Sequence, residues 1–420
     1  MNKKVLSLFL VAVLFFSFVA LAETVNLKFL HRWTQDPDKS FFEEVVNEFE
    51  ALHPNIKIDI QTVANDPFKE KIKVMLGTKD APDVFFTWPG EFTNRFIRAG
   101  NVLDLTPYML KDGSMFDYVG SQLIPFVYDG ALYGLPYRLD GKVFVYNKEI
   151  FKKAGIENPP ATFDEFLEDL EKIAKLGMDP IAFGNERPWA VSHYIAAVNQ
   201  KSVPEDIWLK ETDPAIGTWA HPGYVKALEI YADLVPYFND YANAIKHDQA
   251  RVAFMQGRNA MMYIEIIEIP EISRSGPEGF MDKIGIFPFP ATDGPGNQSY
   301  LVGYPEGFVV SSNSQHPEEA VAFLKFLTGK DMGRLELKRL GWFNGYKNIV
   351  SPEEVSPIIY ETTQLILNSE KMVNWLDSSL HPKIWSIYSV ELQKLTDQIT
   401  TPQKVMDAVK KVATEVRKDF

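Results

Sequence analysis

The sequence predicts an α/β protein in two lobes, each a sheet flanked by helices. Three observations carry this. Strand-like and helix-like periods alternate along the chain with short connections, the pattern of a parallel sheet covered by helices. The chain has 420 residues, beyond the ~250 to 300 at which a single core stops growing. Apolar residues make up 46% and aromatics 13%, enough to fill two cores.

The elements follow in order. Val25, Leu27 and Phe29 alternate with Asn26 and Lys28, which has the period of a strand. Phe41, Phe42, Val45, Val46, Phe49 and Leu52 recur at three and four residues, so an amphipathic helix follows and stops at His53-Pro54. Asp36-Pro37 reads as its N-cap and first position, and Ser40-x-x-Glu43 as a capping box. Ile56, Ile58 and Ile60 form a second strand. Phe68, Ile72, Met75 and Leu76 form a second helix closed by Gly77. Val84 to Phe86 is a buried strand with Trp88 at its exit.

The rhythm resumes with a strand at Val143 to Tyr146, a helix opened by Thr162-x-x-Glu165, and a strand at Pro180 to Phe183. A helix from His221 to Val235 and strands at Met261 to Ile264 and Ile284 to Phe287 come next. After the Gly/Pro-rich "PFPATDGPGNQ", a strand at Phe308 to Ser311 leads into the helix "PEEAVAFLKFL", and the remainder is mostly helical. In open parallel sheets ligands bind beyond the carboxyl ends of the strands. That rule puts Trp33 and Trp88 on one edge.

At the N-terminus, Asn2-Lys3-Lys4, an apolar run from Val5 to Leu21 and Ala20-Leu21-Ala22 form a secretory signal peptide, with cleavage expected after Ala22. The run is short for a membrane span, and no later segment reaches the ~20 apolar residues a second span needs. There is no cysteine, so neither disulfides nor a lipidated cysteine are available. A formal charge of −13, more negative once Lys3 and Lys4 are removed, repels nucleic acid and anionic lipid.

Catalytic motifs thin out when each is asked for its spacing. No two of the seven histidines lie within a helical turn of each other, so there is no local zinc motif, and no metal or cofactor is expected. G-x-S-x-G, a Walker loop and G-x-G-x-x-G are absent. Asp36 and Asp38 lack the rest of a calcium loop and read as helix-capping residues. A carboxylate pair of the glycosidase kind stays open, because 56 acidic residues offer many pairs.

Aromatic residues stand beside acids and arginines at predicted strand ends: Trp33 with Arg32 and Asp36, Trp88 with Glu91, Trp189 with Arg187, Tyr304 with Glu306. A sugar presents an apolar C–H face and a rim of hydroxyls, and its site needs aromatic faces and charged rim partners. For any one tryptophan, core packing is an equal alternative. Four such neighbourhoods point to a sugar site.

The segments "APDVFFTW", "AGNVLDLTPY", "ALYGLPYRLDGKVFVYNKEIFKKAGIENPPATFDEF", "FMQGRNAMMY", "IGIFPFPATDG" and "HPEEAVAFLKFLTGKDMGR…GWFNGYK" resemble, in order, the extracellular solute-binding proteins of sugar ABC transporters, the group containing maltose-binding protein. The resemblance runs from about residue 25 to the C-terminus. It implies a type II periplasmic-binding-protein clamp with the ligand cleft at the hinge. The implied N-terminal lobe is 23–139 with 301–341, and the C-terminal lobe 142–300 with 342–420, after a signal peptide over 1–22.

By position, the resemblance implies ligand contacts from Trp33 and Asp36 in the first loop, Trp88 and Glu91 after the third strand, and Asp140 at the lobe crossing. Arg187 and Trp189 are expected where the C-terminal lobe supplies polar and stacking contacts, and Trp342, Asp377 and Trp385 at the far end of the cleft; Tyr304, from its place beside Glu306, and Glu265 complete the candidate set. Arg138 stands where the family often has a small residue, and "YIEIIEIP" where it often has glycine and then tryptophan. The implied protein is a monomeric periplasmic carrier without catalytic activity, handing an oligosaccharide or sugar derivative to membrane permease subunits. An exported glycoside hydrolase, and a binder of an anionic sugar read by Arg32, Arg138 or Arg187, are the alternatives.

Overall fold

Two separate sheets organise the chain in the computed structural model, which describes residues 24–349, 353–369 and 371–420. The signal-peptide segment lies outside the described residues. The first sheet contains β1 (Val25–His31), β2 (Ile56–Thr62), β3 (Val84–Thr87) and β4 (Gly134–Arg138). The second contains β5 (Lys142–Asn147), β6 (Ile181–Ala182), β7 (Met261–Glu265) and β8 (Ile284–Phe287). The chain then returns to the first sheet with β9 (Glu306–Val310).

In the first sheet the order is β2-β1-β3-β9-β4. β2 and β3 run parallel to β1, with Phe29 opposite both Ile60 and Val84. β9 enters antiparallel between β3 and β4. In the second sheet the order is β8-β5-β7-β6; β6 is parallel to β7 and the other pairs are antiparallel.

Helix signals were local and mostly direct. Thr162 and Glu165 form the predicted capping box of helix Phe163–Ala174. The box predicted at Ser40 and Glu43 does not form. Helix Asp38–Leu52 begins two residues before Ser40, so Ser40 sits in its first turn, where its N–H donates to Asp36 Oδ1 at 3.1 Å. The predicted strand at Pro180 to Phe183 contracts to the two residues Ile181–Ala182.

Each sheet carries its own core. One joins Phe29, Trp33, Phe42, Tyr137 and Phe308, and the other Phe144, Tyr194, Trp219, Tyr263 and Tyr388. Between them the crossing segments touch backbone to backbone. Gly303 has φ +151°, and a Cβ there would lie 2.4 Å from Gly141 Cα, so two crossings approach as only glycine permits. The third crossing joins them through Leu139 N–H donating to Phe343 O (2.6 Å). A smaller apolar cluster, including Leu139, Ile266, Leu337 and Phe343, packs around this junction.

Candidate functional site

A cavity of about 300 Å³ opens between the two sheets. Its first-lobe wall comes from residues at strand ends. β1 is followed by Arg32, β3 by Trp88, β9 begins with Glu306, and helix Asn65–Met75 supplies Asn65 and Lys69 from its first turns. From the second lobe come Arg187, Trp189 and His193 at the start of helix Trp189–Ser202, Glu265 at the end of β7, and Trp375, Asp377, Ser378 and Trp385. Four tryptophans therefore face one cavity with acids and bases between them.

The floor on the first-lobe side is a hub on Glu306. Trp88 Nε1 donates to Oε1 (2.8 Å), Arg32 Nη2 donates to both carboxylate oxygens (3.0 Å), and Arg138 Nε donates to Oε2 (2.5 Å). Burial opposes the charge on Glu306, but attraction to Arg138 and Arg32 outweighs it and holds the pKa down at about 2. Arg32 also donates to Asn65 Oδ1 (3.1 Å) and lies over the Trp33 and Trp88 rings.

Across the cavity, Lys69 Nζ pairs with Asp377 Oδ2 at 2.8 Å, an ion pair joining the two lobes. Asn374 Nδ2 donates to Pro89 O (3.1 Å) beside it, a second bond between the lobes. Trp189 is backed by His247 (ring centroids 4.8 Å) and His193 (5.3 Å). His247 is gripped by Glu268 (2.9 Å), which also binds Arg251 (2.5 Å). Burial, with Lys142 adding repulsion, pushes His193 well below the ordinary histidine range. It is therefore neutral, and its 3.7 Å approach to Glu265 is neither an ion pair nor a hydrogen bond. Burial and Glu268 raise the Glu265 carboxyl against the attraction of Lys142.

Of the residues expected from the sequence, Trp88, Arg187, Trp189, Glu265 and Asp377 line this cavity, as does Trp385. Glu91 and Tyr304 line a neighbouring cavity, where Glu91 is bound by Arg98 (2.5 and 3.0 Å). Four others line neither.

Trp33 is 6% exposed and packs on Phe42, Phe86 and Tyr137 at 4.9 to 5.3 Å. The chain bends at Arg32, just past the end of β1, and there Arg32 takes the cavity and Trp33 the core. Asp36 is exposed at the helix start, holding Ser40 N–H. Asp140 is buried at the crossing, where its Oδ1 accepts from Gly141 N–H (2.7 Å), and burial followed by Glu265 raises its pKa. Trp342 is buried at the hinge, donating to Ile267 O (3.0 Å) under Arg138.

Asn65, Lys69, His193, Trp375 and Ser378 line the cavity without having been singled out. Asn65 and Lys69 carried a sequence signal in their place in the first turns of a helix that follows a strand, and Trp375 in its place two residues before Asp377. Among the described residues no group of three or more His, Cys, Asp or Glu is placed to hold a metal, and no helix is long and apolar enough to cross a membrane.

Comparison with known proteins adds to this geometry. Residues 33–333 match the family described as "Bacterial extracellular solute-binding protein". A putative binding protein of Brucella abortus is 30% identical over 302 residues, 69% of each chain. The arabinooligosaccharide-binding protein of Bacillus subtilis is 26% identical over 314 residues, 71% of this chain and 68% of that one. A solved chitin oligosaccharide binding protein superposes with a TM-score of 0.85 at 24% identity, over 94% of this chain and 99% of that one, so the fold is the same two-lobed α/β clamp. The chain belongs to the bacterial extracellular solute-binding protein family.

Proposed function

We propose that this protein binds an oligosaccharide or neutral sugar derivative between its lobes and delivers it to the membrane permease of an ABC transporter. The observation that carries the reading is the cavity wall itself: Trp88, Trp189, Trp375 and Trp385 with Glu265, Glu306, Asp377, Arg32 and Lys69, contributed by both lobes. Aromatic rings accept the C–H faces of pyranoses, and carboxylates and guanidinium groups take the hydroxyls. The Bacillus subtilis relative points the same way, since it is an arabinooligosaccharide-binding protein.

Because the ligand meets both walls only when the lobes are together, binding favours the closed form. The permease would read that form. The charge arrangement favours a neutral ligand over an anionic one. Arg32 and Arg138 are both engaged by Glu306, and Lys69 by Asp377, so none of these three cations is unpaired. Glu306, held at about 2, is an ionised hydrogen-bond acceptor at the cavity floor. A periplasmic location after signal cleavage, without a lipid anchor, completes the reading.

The test is a thermal-shift and tryptophan-fluorescence screen across neutral and acidic saccharides, with the sugar recovered afterwards by chromatography. A neutral saccharide is expected to raise Tm, alter the fluorescence and return intact. Recovery of hydrolysed sugar, or binding confined to acidic sugars, would overturn the reading.

A further inference from the structure

A second cavity between the lobes, of about 410 Å³, adjoins the first. The two share the same pair of turns. Trp88 and Ser378 line one, Gly90 and Ser379 line the other, and the Pro89 to Asn374 hydrogen bond stands between them.

Its chemistry repeats that of the first cavity. Trp208, Tyr300 and Tyr128 provide aromatic surface from both lobes, and the Glu91–Arg98 and Glu205–Lys371 ion pairs provide the polar rim. Gln200, 5% exposed, lies in its wall, where its Nε2 donates to Tyr300 O (2.6 Å) and holds that part of the wall in place. At the rim, Ile124 and Val127 of the first lobe and Leu209 of the second are exposed apolar side chains lining the same cavity.

We propose that this second cavity holds further sugar units of the same ligand, so that the protein takes a chain spanning both cavities rather than a short sugar. The inference rests on the sugar reading above and adds the ligand's length. A ligand occupying both cavities runs past the Asn374 to Pro89 hydrogen bond, with its rings against Trp208, Tyr300 and Tyr128 and its hydroxyls against the Glu91–Arg98 and Glu205–Lys371 pairs.

Isothermal titration calorimetry of the purified protein with linear cello-, xylo-, chito- and malto-oligosaccharides, from the disaccharide to the hexasaccharide, tests it. Within the series that binds, affinity is expected to rise at least about tenfold from disaccharide to tetrasaccharide, with one ligand per protein. Tyr128→Ala, which removes the first-lobe aromatic surface, and Thr212→Trp, which fills the cavity from its rim, are each expected to abolish that rise. Both should leave the disaccharide's affinity within about twofold. Circular dichroism checks that each variant is folded, and Thr212→Trp decides if Tyr128→Ala is not. Equal affinity from the disaccharide upward, a rise that survives the variants, or two disaccharides bound per protein overturns the inference while leaving the sugar reading intact. Failure of every saccharide to bind overturns both.

Discussion

Trp88 Nε1 donates a 2.8 Å hydrogen bond to Glu306 Oε1 across 218 positions of sequence. The bond ties the end of β3 to the start of β9, neighbours in the first sheet, and Glu306 is at the same time the counter-ion of Arg32 and Arg138. One carboxylate thus sets the orientation of an aromatic wall and is shared as counter-ion by two guanidinium groups.

Glu306→Gln is expected to destabilise the protein by about 3 to 5 kcal/mol, because it leaves buried Arg138 without a counter-charge. Urea denaturation of wild type and variant measures the difference. A loss under 1 kcal/mol would mean that the hub is no stronger than a surface ion pair.

The same carboxylate gives a pH dependence. Its folded pKa, about 2, lies below its ordinary 4.5, so the stability it contributes is fully present above pH 4.5 and is lost as pH falls towards 2. Wild-type unfolding free energy should fall across that window, and Glu306→Gln should flatten the slope there. Matching slopes would assign the acid sensitivity to other carboxylates.

Trp189→Ala and Trp33→Ala should separate binding from folding. Trp189 is half-buried in the cavity wall, and its removal is expected to lower sugar affinity at least about tenfold, or about 1.4 kcal/mol, with a modest change in Tm. Trp33 is core, and its removal should cost about 3 to 5 kcal/mol of stability while the folded fraction binds sugar with little change. Calorimetric titration alongside denaturation checks both; the reverse pattern would return Trp33 to the site.

Gly90→Ala should impair closure. Gly90 has φ +94° and ψ −155°, a region open essentially to glycine alone, and a Cβ there would sit 2.3 Å from Asn374 Nδ2 across the lobe boundary. Asn374 would have to swing away and lose its bond to Pro89 O. Small-angle scattering at saturating sugar is expected to show a larger radius of gyration than wild type, with weaker binding. An unchanged scattering profile would show that this contact does not limit closure.

Much of the fold was legible in the residues because its signals are local. Alternation at Val25 to Phe29 and at Ile56 to Ile60, and the three-and-four spacing from Phe41 to Leu52, each report one buried face; the structure buries them apart from Ile60, which is half-buried, and Leu52, which is 67% exposed in the last turn of its helix. Thr162 and Glu165 capped their helix because a capping box needs only four consecutive residues. Ser40 and Glu43 have the same spacing but lost the role to a helix that starts earlier, since Asp36 supplies the oxygen that meets Ser40 N–H.

The amino-acid order alone determined an α/β chain with aromatic and charged residues gathered at strand ends. It could not say which of two adjacent side chains enters the cleft. Arg32 and Trp33 are neighbours at a bend just past β1 and face opposite ways, and only the packing of helix Asp38–Leu52 on β1 decides which of them is in. Nor could it bring Lys69 to Asp377, 308 positions apart, or set Trp375 opposite Trp88. Those contacts exist because two independently packed lobes meet at a cleft, and the pairing of residues across it is set by the geometry of the three crossings, which leaves no period or spacing in the chain.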